Sequence, residues 1–307
     1  MAELTEIASG LGFPEGPVWM SDGSVVLVEM QHGRITRVRP DGAKETVAEP
    51  GGGPNGLAVG PDGQLYCCNN GASFTFVDMG GINFPHQPNP AWEGGRIERI
   101  DPASGAVEVL YTECDGRRLR SPNDLVFDAT GGFWFTDHGM SEERTHDRTG
   151  IFYAQADGSS IREVIFPTDA PNGVGLSPDG TRLYVAETYS GRVWWWQVTG
   201  PGEVELVPGV LPHGGQLLAG LPELQALDSL AVDGEGHVCV ATLVSGGFTR
   251  ISPDGIQRDF FPADDLLPTN ICFGGEDRRT AYVTQSGTGR LSKFTWPVAG
   301  LELAFNA

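Results

Sequence analysis

Six copies of one phrase run the length of the chain, each opening on a polar residue and continuing in alternating apolar positions. They read PEGPVW (14–19), PNGLAV (54–59), PNDLVF (122–127), PNGVGL (171–176), LDSLAV (227–232) and TNICFG (269–274). The polar residues, here called anchors, are Glu15, Asn55, Asn123, Asn172, Asp228 and Asn270, and they lie 40, 68, 49, 56 and 42 residues apart. A repeat of roughly 40–50 residues made of short strands is the mark of propeller blades, four strands to a blade. After five of the anchors comes a turn rich in Gly and Asp (SDG, PDG, ATGG, PDG, GEG; the sixth has GGEDRRT), suited to a hairpin. A second strand follows each time: SVVLVE, QLYCCN, GFWFTD, RLYVAE, HVCVAT and TAYVTQ. Most units add a third strand and another tight turn, as in GRITRVRPDG and GIFYAQADG. The pattern predicts an all-β chain, residues 1–307 forming a single six-bladed β-propeller.

The long second interval points to an insertion of about 71–95, rich in Gly, Pro and Asn, which also carries Phe74, Phe76, Phe84, His86 and Trp92. It reads as a loop over one face, either a lid that touches substrate or a loop pinned by a small core of its own. Trp194, Trp195 and Trp196 read as blade packing, and Glu187 and Tyr189, just past a second strand, could reach the channel mouth. A propeller must also close its ring. Residues 4–8 could supply the closing strand, or 291–295 could complete the last blade unaided.

Charge narrows the partners. Lys+Arg 20 against Asp+Glu 40 gives a net charge of −20, which repels a phosphate backbone and excludes nucleic acid as the expected partner. No apolar run approaches the roughly 18 residues of a membrane span, and the start MAELTEIASG lacks a secretory pattern. Five cysteines without a CxxC pair fit a reducing compartment, so a cytoplasmic location is expected. Cys67, Cys239 and Cys272 read as small apolar fillers of strands.

In a propeller the innermost strand of every blade lines the central channel, so equivalent positions converge. Any single Asn at a strand entrance is ordinary turn chemistry. Six oxygen-bearing anchors in register, two of them acidic, are different, because converging buried carboxylates need a cation to offset their desolvation. The hard oxygen set suits one divalent metal ion in the channel: Ca, Mg or Mn favoured, with Zn or Fe(II) also able to accept such ligands.

The segments FPEGPVW, SPNDLVFDATGGFWFTD, APNGVGLSPDGTRLYVAET, LDSLAVDGEG and PTNICFGGEDRRTAYVT resemble the senescence marker protein/gluconolactonase family over nearly the whole chain. The resemblance implies a lactonase, a carboxylic ester hydrolase, with a single metal on Glu15, Asn172 and Asp228. Asn123 corresponds to a residue that binds metal or substrate, and Asp124 to an acid that orients the site. Asn55 and Asn270 remain as channel-lining positions. Three departures bear on substrate: Ser229 stands where Gly is common, and Ser121, with Arg120 beside it, stands where regucalcin-type lactonases carry Arg. The third is FTDHGM, which replaces FTDP and brings His138, as in the distantly similar paraoxonases, toward the pocket. A sugar-acid substrate is therefore not carried over, whereas a small-molecule lactone or ester is.

The expected chemistry is metal-assisted attack of water on the ester, with Asp228 as base, Glu15 and Asn172 as ligands, and Asn123 meeting the substrate. No GxSxG elbow supports a covalent route, and Ser229 reads as a small residue fitting a tight inner strand. Two rivals stay open at this level: phosphotriester or fluorophosphate hydrolysis at the same site, and a binding propeller whose metal is only structural.

Overall fold

The alternating apolar runs become strands, and the strands become six separate antiparallel sheets arranged as blades. The computed structural model describes residues 4–209 and 211–305. The inner strands are Pro14–Trp19, Pro54–Val59, Pro122–Phe127, Pro171–Leu176, Leu227–Val232 and Pro268–Gly274, each paired with the strand that follows it. In the sixth blade the order is completed from the other end of the chain, where Thr5–Ala8 lies antiparallel to Arg290–Thr295. The N-terminal strand therefore closes the ring, the first of the two closures the sequence allows.

Burial changes with radius. Second strands are buried on both faces, as in Val25–Glu29, Leu65–Asn69 and Val238–Thr242. Outer strands such as Lys44–Ala48 and Arg258–Pro262 are largely exposed and carry charges, which discourages edge-to-edge pairing. The core is not central but divided among six interfaces between neighbouring blades. Val28 and Ile35 of blade one, for example, meet Leu57 and Leu65 of blade two, and Trp134 of blade three meets Trp194 and Trp196 of blade four. Trp195 faces the other side of its strand, toward blade five, under the guanidinium of Arg182 at 4.3 Å. The tryptophan triplet is blade packing, as its strand setting predicts.

The 56-residue interval between Asn172 and Asp228 has its own cause, since Arg192–Gly200 pairs with both Glu203–Glu205 and Gln216–Gly220. The insertion of blade two is a hairpin, Thr75–Asp78 with Asn83–His86. Its tip reaches blades six and one, where Asn83 donates its backbone N–H to the Gly287 carbonyl (2.8 Å) and its Nδ2 to Gln31 Oε1 (2.6 Å). Its base reaches blade three, where Ser141 N–H donates to Gln87 Oε1 (3.0 Å). The insertion thus arches over one sector of the mouth at which the inner strands begin, called the upper mouth below. Among the described residues no helix is long and apolar enough to cross a membrane.

Candidate metal centre and its mouth

Every inner strand breaks its pairing register at or beside its anchor: between Glu15 and Val18, Pro54 and Leu57, Pro122 and Leu125, Pro171 and Val174, Leu227 and Leu230, and Pro268 and Asn270. Such irregularities free a residue from its ladder and re-aim its side chain. The residue after the anchor must then let the next blade approach. Gly16 (φ 49°) would place a Cβ 2.5 Å from the Asn55 carbonyl oxygen, and a Cβ on Gly56 would sit 2.5 Å from that of Asn123. Glycine is required there because the inner strands touch backbone to backbone.

The anchors divide by what their oxygens do. Asn270 Oδ1 accepts the N–H of Ile271 (2.8 Å), the local turn bond that an isolated Asn prefers. Asn55 is buried and brings its backbone against Gly16, with no bond joining its side chain to the acids. Asn172 bridges blades: its Nδ2 donates to Thr188 Oγ1 (3.2 Å) and its Oδ1 accepts from Ser229 Oγ (3.4 Å). Glu15 Oε2 and Asn123 Oδ1 are buried with no hydrogen-bond partner at all. Two orphaned acceptors in one channel are expensive unless a cation or a hydrogen-bond donor meets them.

Glu15 and Asp228 bear on each other's charge. Burial, followed by the charge of Asp228, pushes Glu15 well above the usual carboxylate range. Burial likewise raises Asp228, against hydrogen bonds from Asn172 and the Ser229 N–H. Asp124, also buried, is pushed up to about 7 by burial, opposed by the Leu125 and Val174 N–H groups and Ser229. Asp228 differs from Glu15, Asn123 and Asn172 in keeping partial accessibility. Among the described residues no three His, Cys, Asp or Glu side chains gather closely enough to hold a metal by themselves. A metal here therefore needs amide oxygens beside the two anchor carboxylates, which is the donor set the anchors supply.

His138 lies at the upper mouth rather than in the ring, between Phe74 (ring centroids 6.2 Å apart) and Tyr189 (5.6 Å). Burial lowers its pKa to about 4, so it is a neutral imidazole at physiological pH and not the near-neutral titrating group its residue type suggests. Tyr189 is half-exposed at this mouth, whereas Glu187 is buried and bonded to Trp194 Nε1 (2.8 Å) and the Asp169 N–H (3.0 Å). Ser121 pairs with Ser73 of the insertion (Oγ to Oγ 3.0 Å), and Phe76 packs on Phe13 at 5.1 Å. The insertion is thus both pinned by its own contacts and part of the wall of the mouth.

A second ring of polar residues, not anticipated from the sequence, braces the segments that lead into the anchors. Glu29 accepts the Gly12 N–H (2.7 Å), Asn69 that of Gly53 (2.9 Å), Asp137 those of Arg120 and Ser121 (2.7 Å each), and Glu187 that of Asp169. Each stands at the last position of its second strand, opposite the residue before the anchor. That shared position was the available signal, hidden because Glu, Asn and Asp interchange there.

A cavity of about 500 Å³ opens at the opposite, lower end of the channel, but of the anchors and acids it includes only Asp124 and Asn270. Its walls are mainly apolar, including Trp19, Phe127 and Leu176. The orphaned oxygens and the acid pair lie in the upper ring instead.

Residues 13–287 match the SMP-30/Gluconolactonase/LRE-like region. A gluconolactonase from Zymomonas mobilis is 27% identical, across 91% of this chain and 78% of its own length. A lactonase, drp35, from Staphylococcus haemolyticus is 28% identical over 76% of this chain and 64% of its own. In three dimensions the chain is similar to regucalcin from Agrobacterium tumefaciens, a calcium-binding protein: TM-score 0.73, 16% identity, 98% of this chain and 97% of that one. That likeness speaks for the fold, and the match across residues 13–287 speaks for kinship. The chain belongs to the SMP-30/gluconolactonase/LRE-like family.

Proposed function

We propose that the protein opens a lactone ring by attack of water, at a divalent metal ion held in the upper ring of the channel. The observation that carries this reading is the pair of partnerless buried oxygens, Glu15 Oε2 and Asn123 Oδ1, in a channel where burial raises the Glu15 and Asp228 carboxyls. The gluconolactonase and lactonase names of its relatives supply the reaction class. Glu15, Asn172 and Asp228 would hold the ion, with calcium, magnesium or manganese best suited to oxygen donors. Asn123 joins them on the same ground, because an orphaned acceptor oxygen meets a cation or a hydroxyl but not an ester carbonyl. When bound, the ion supplies Lewis-acid polarisation of the ester carbonyl.

The chain's own part is proton transfer and placement. Asp228 has one oxygen fixed by the Ser229 N–H (3.1 Å) and keeps accessible surface, so its other oxygen can take a proton from an incoming water. The water oxygen bonds to the carbonyl carbon. As the ring C–O bond breaks, the leaving alkoxide takes that proton back, giving a hydroxy acid with no net change at Asp228. Asp124, beneath, would fix the orientation of the ring through its backbone bonds.

Acid release from a lactone panel, measured on chelator-stripped protein with each metal restored in turn, tests this. Glu15→Gln is expected to lose metal. Asp228→Asn is expected to lower kcat by about a hundredfold or more, the scale of a lost general base. Full hydrolysis by Asp228→Asn with metal retained would remove Asp228 from the role of base.

A further inference from the structure

We propose that the substrate is an uncharged lactone bearing an apolar substituent, received between Phe74 and Tyr189, and that lactones carrying a phosphate, sulfate or carboxylate are disfavoured. This rests on the lactonase reading and specifies its substrate class.

The first ground is that the basic side chains around the mouth are taken up by neighbours, His146 beside Tyr189 (ring centroids 5.4 Å) lying 3.2 Å from Asp169. Arginines begin the third strands of four blades and are each engaged by neighbours: Arg34 with Glu29 (2.7 Å), Arg96 with Glu98 (2.5 Å), Arg192 with the Ser190 carbonyl (3.3 Å) and Arg290 with the Asp264 carbonyl (2.8 Å). Arg120 is adjacent in sequence to the mouth residue Ser121, yet it turns away. Its Nε donates to Asp147 Oδ2 (2.7 Å), its guanidinium lies 4.5 Å over the Trp92 ring, and it lines a cavity shared with Phe166 of an outer strand. His138 contributes no charge because burial keeps it neutral.

The second ground is the make-up of the centre. Glu15, Asp124 and Asp228 place three carboxyls along one channel. An added anionic group would sit among carboxyls with no guanidinium to receive it, and a buried charge without a partner is strongly disfavoured. The third ground is the wall. Phe74 is partly exposed and Tyr189 half-exposed, both against the neutral ring of His138, while Phe76 rests on buried Phe13. An apolar wall with few polar groups favours an apolar substituent.

The test compares δ-decanolactone with 6-phosphoglucono-δ-lactone on the metal-replete protein, and adds calorimetric binding of the unreactive lactam analogue of δ-decanolactone. kcat/KM is expected to favour the apolar lactone by at least about tenfold. Phe74→Ala and Tyr189→Ala, both at the solvent-facing rim, are each expected to raise its KM and the lactam Kd by about tenfold with kcat little changed, the scale of one lost apolar contact. Equal or better turnover of the phosphorylated lactone would overturn the proposal, as would lactam binding that ignores both substitutions. If the lactam binds in a Phe74-dependent way and neither lactone opens, the ligand class stands and the hydrolytic reading falls.

Discussion

Glu15, Asp124 and Asp228 are acids in a place where acids are hard to keep ionised, and that fixes how the protein should respond to pH. Burial raises all three, Asp124 to about 7, against about 4 in an unfolded chain. Between those values the metal-free folded state binds more protons than the unfolded one, so stability must fall as pH rises through that window. A divalent ion held there would replace the protons and offset the fall. In chelator the melting temperature is therefore expected to drop by several degrees from pH 5 to pH 8, given about 2–4 °C per kcal/mol for a chain of this size. Millimolar calcium is expected to recover most of that drop. A melting temperature that is flat or rising over this range in chelator would show that the three acids do not share a dry channel. The anchors themselves were legible in the sequence because the repeat puts them in register. The sorting of Asn270 as a local turn bond from Asn123 as an orphan was not, since both are Asn after a Pro or Thr and only the path of the neighbouring blade separates them.

At the scale of elements, the inner and second strands were readable because each has its own apolar pattern and turn. The braces at the ends of the second strands were hidden, because what recurs is a bond to a backbone N–H seventeen or so residues away rather than a residue type. Asp137 shows what they do: it accepts the N–H groups of Arg120 and Ser121 and also that of Gly139 (3.0 Å), fixing the approach to Asn123. Asp137→Ala would strand these donors, each costing about 1–3 kcal/mol when buried without a partner. We expect a loss of roughly 2–4 kcal/mol in urea unfolding, since such losses do not add fully, together with weaker metal binding. Asp137→Asn keeps one acceptor and should lose less. A change under about 0.5 kcal/mol in Asp137→Ala, the level of an ordinary surface substitution, would mean that the loop holds itself. The insertion was readable as a loop over one face, but its arch from blade three to blade six was not, because its contacts with Gly287 and Gln31 are non-local.

For the whole molecule, the two ends of the channel have different owners. The upper mouth belongs to the insertion and the loops after the second strands, and the lower mouth to residues 300–305. Gly300 pairs with Asp233, the Leu301 N–H donates to the Val232 carbonyl (3.1 Å), Glu302 meets Arg278 (3.1 Å) and the Phe305 ring stands edge-on to Phe127 at 5.8 Å. Residues 301–305 thus run from blade five to blade three across the 500 Å³ chamber, and Cys272, a partly exposed thiol among four buried ones, lines that chamber with them. Ring closure does not depend on this segment, because Thr5–Ala8 already pairs with Arg290–Thr295. Ending the chain at Gly300 should therefore leave a folded propeller whose lower chamber is open. Modification of Cys272 by a small methanethiosulfonate is expected to speed up by about tenfold or more as the local barrier to opening falls. The melting temperature should fall modestly, since burying each large apolar side chain is worth at most about 1.5–3 kcal/mol. Lactone opening should change by less than about twofold, because Glu15, Asp228 and the orphaned oxygens belong to the other end and coupling between well-separated sites is small. An unchanged rate of Cys272 modification would show that the segment does not seal the chamber. A large loss of lactone opening would show that the lower plug also holds the upper ring in place.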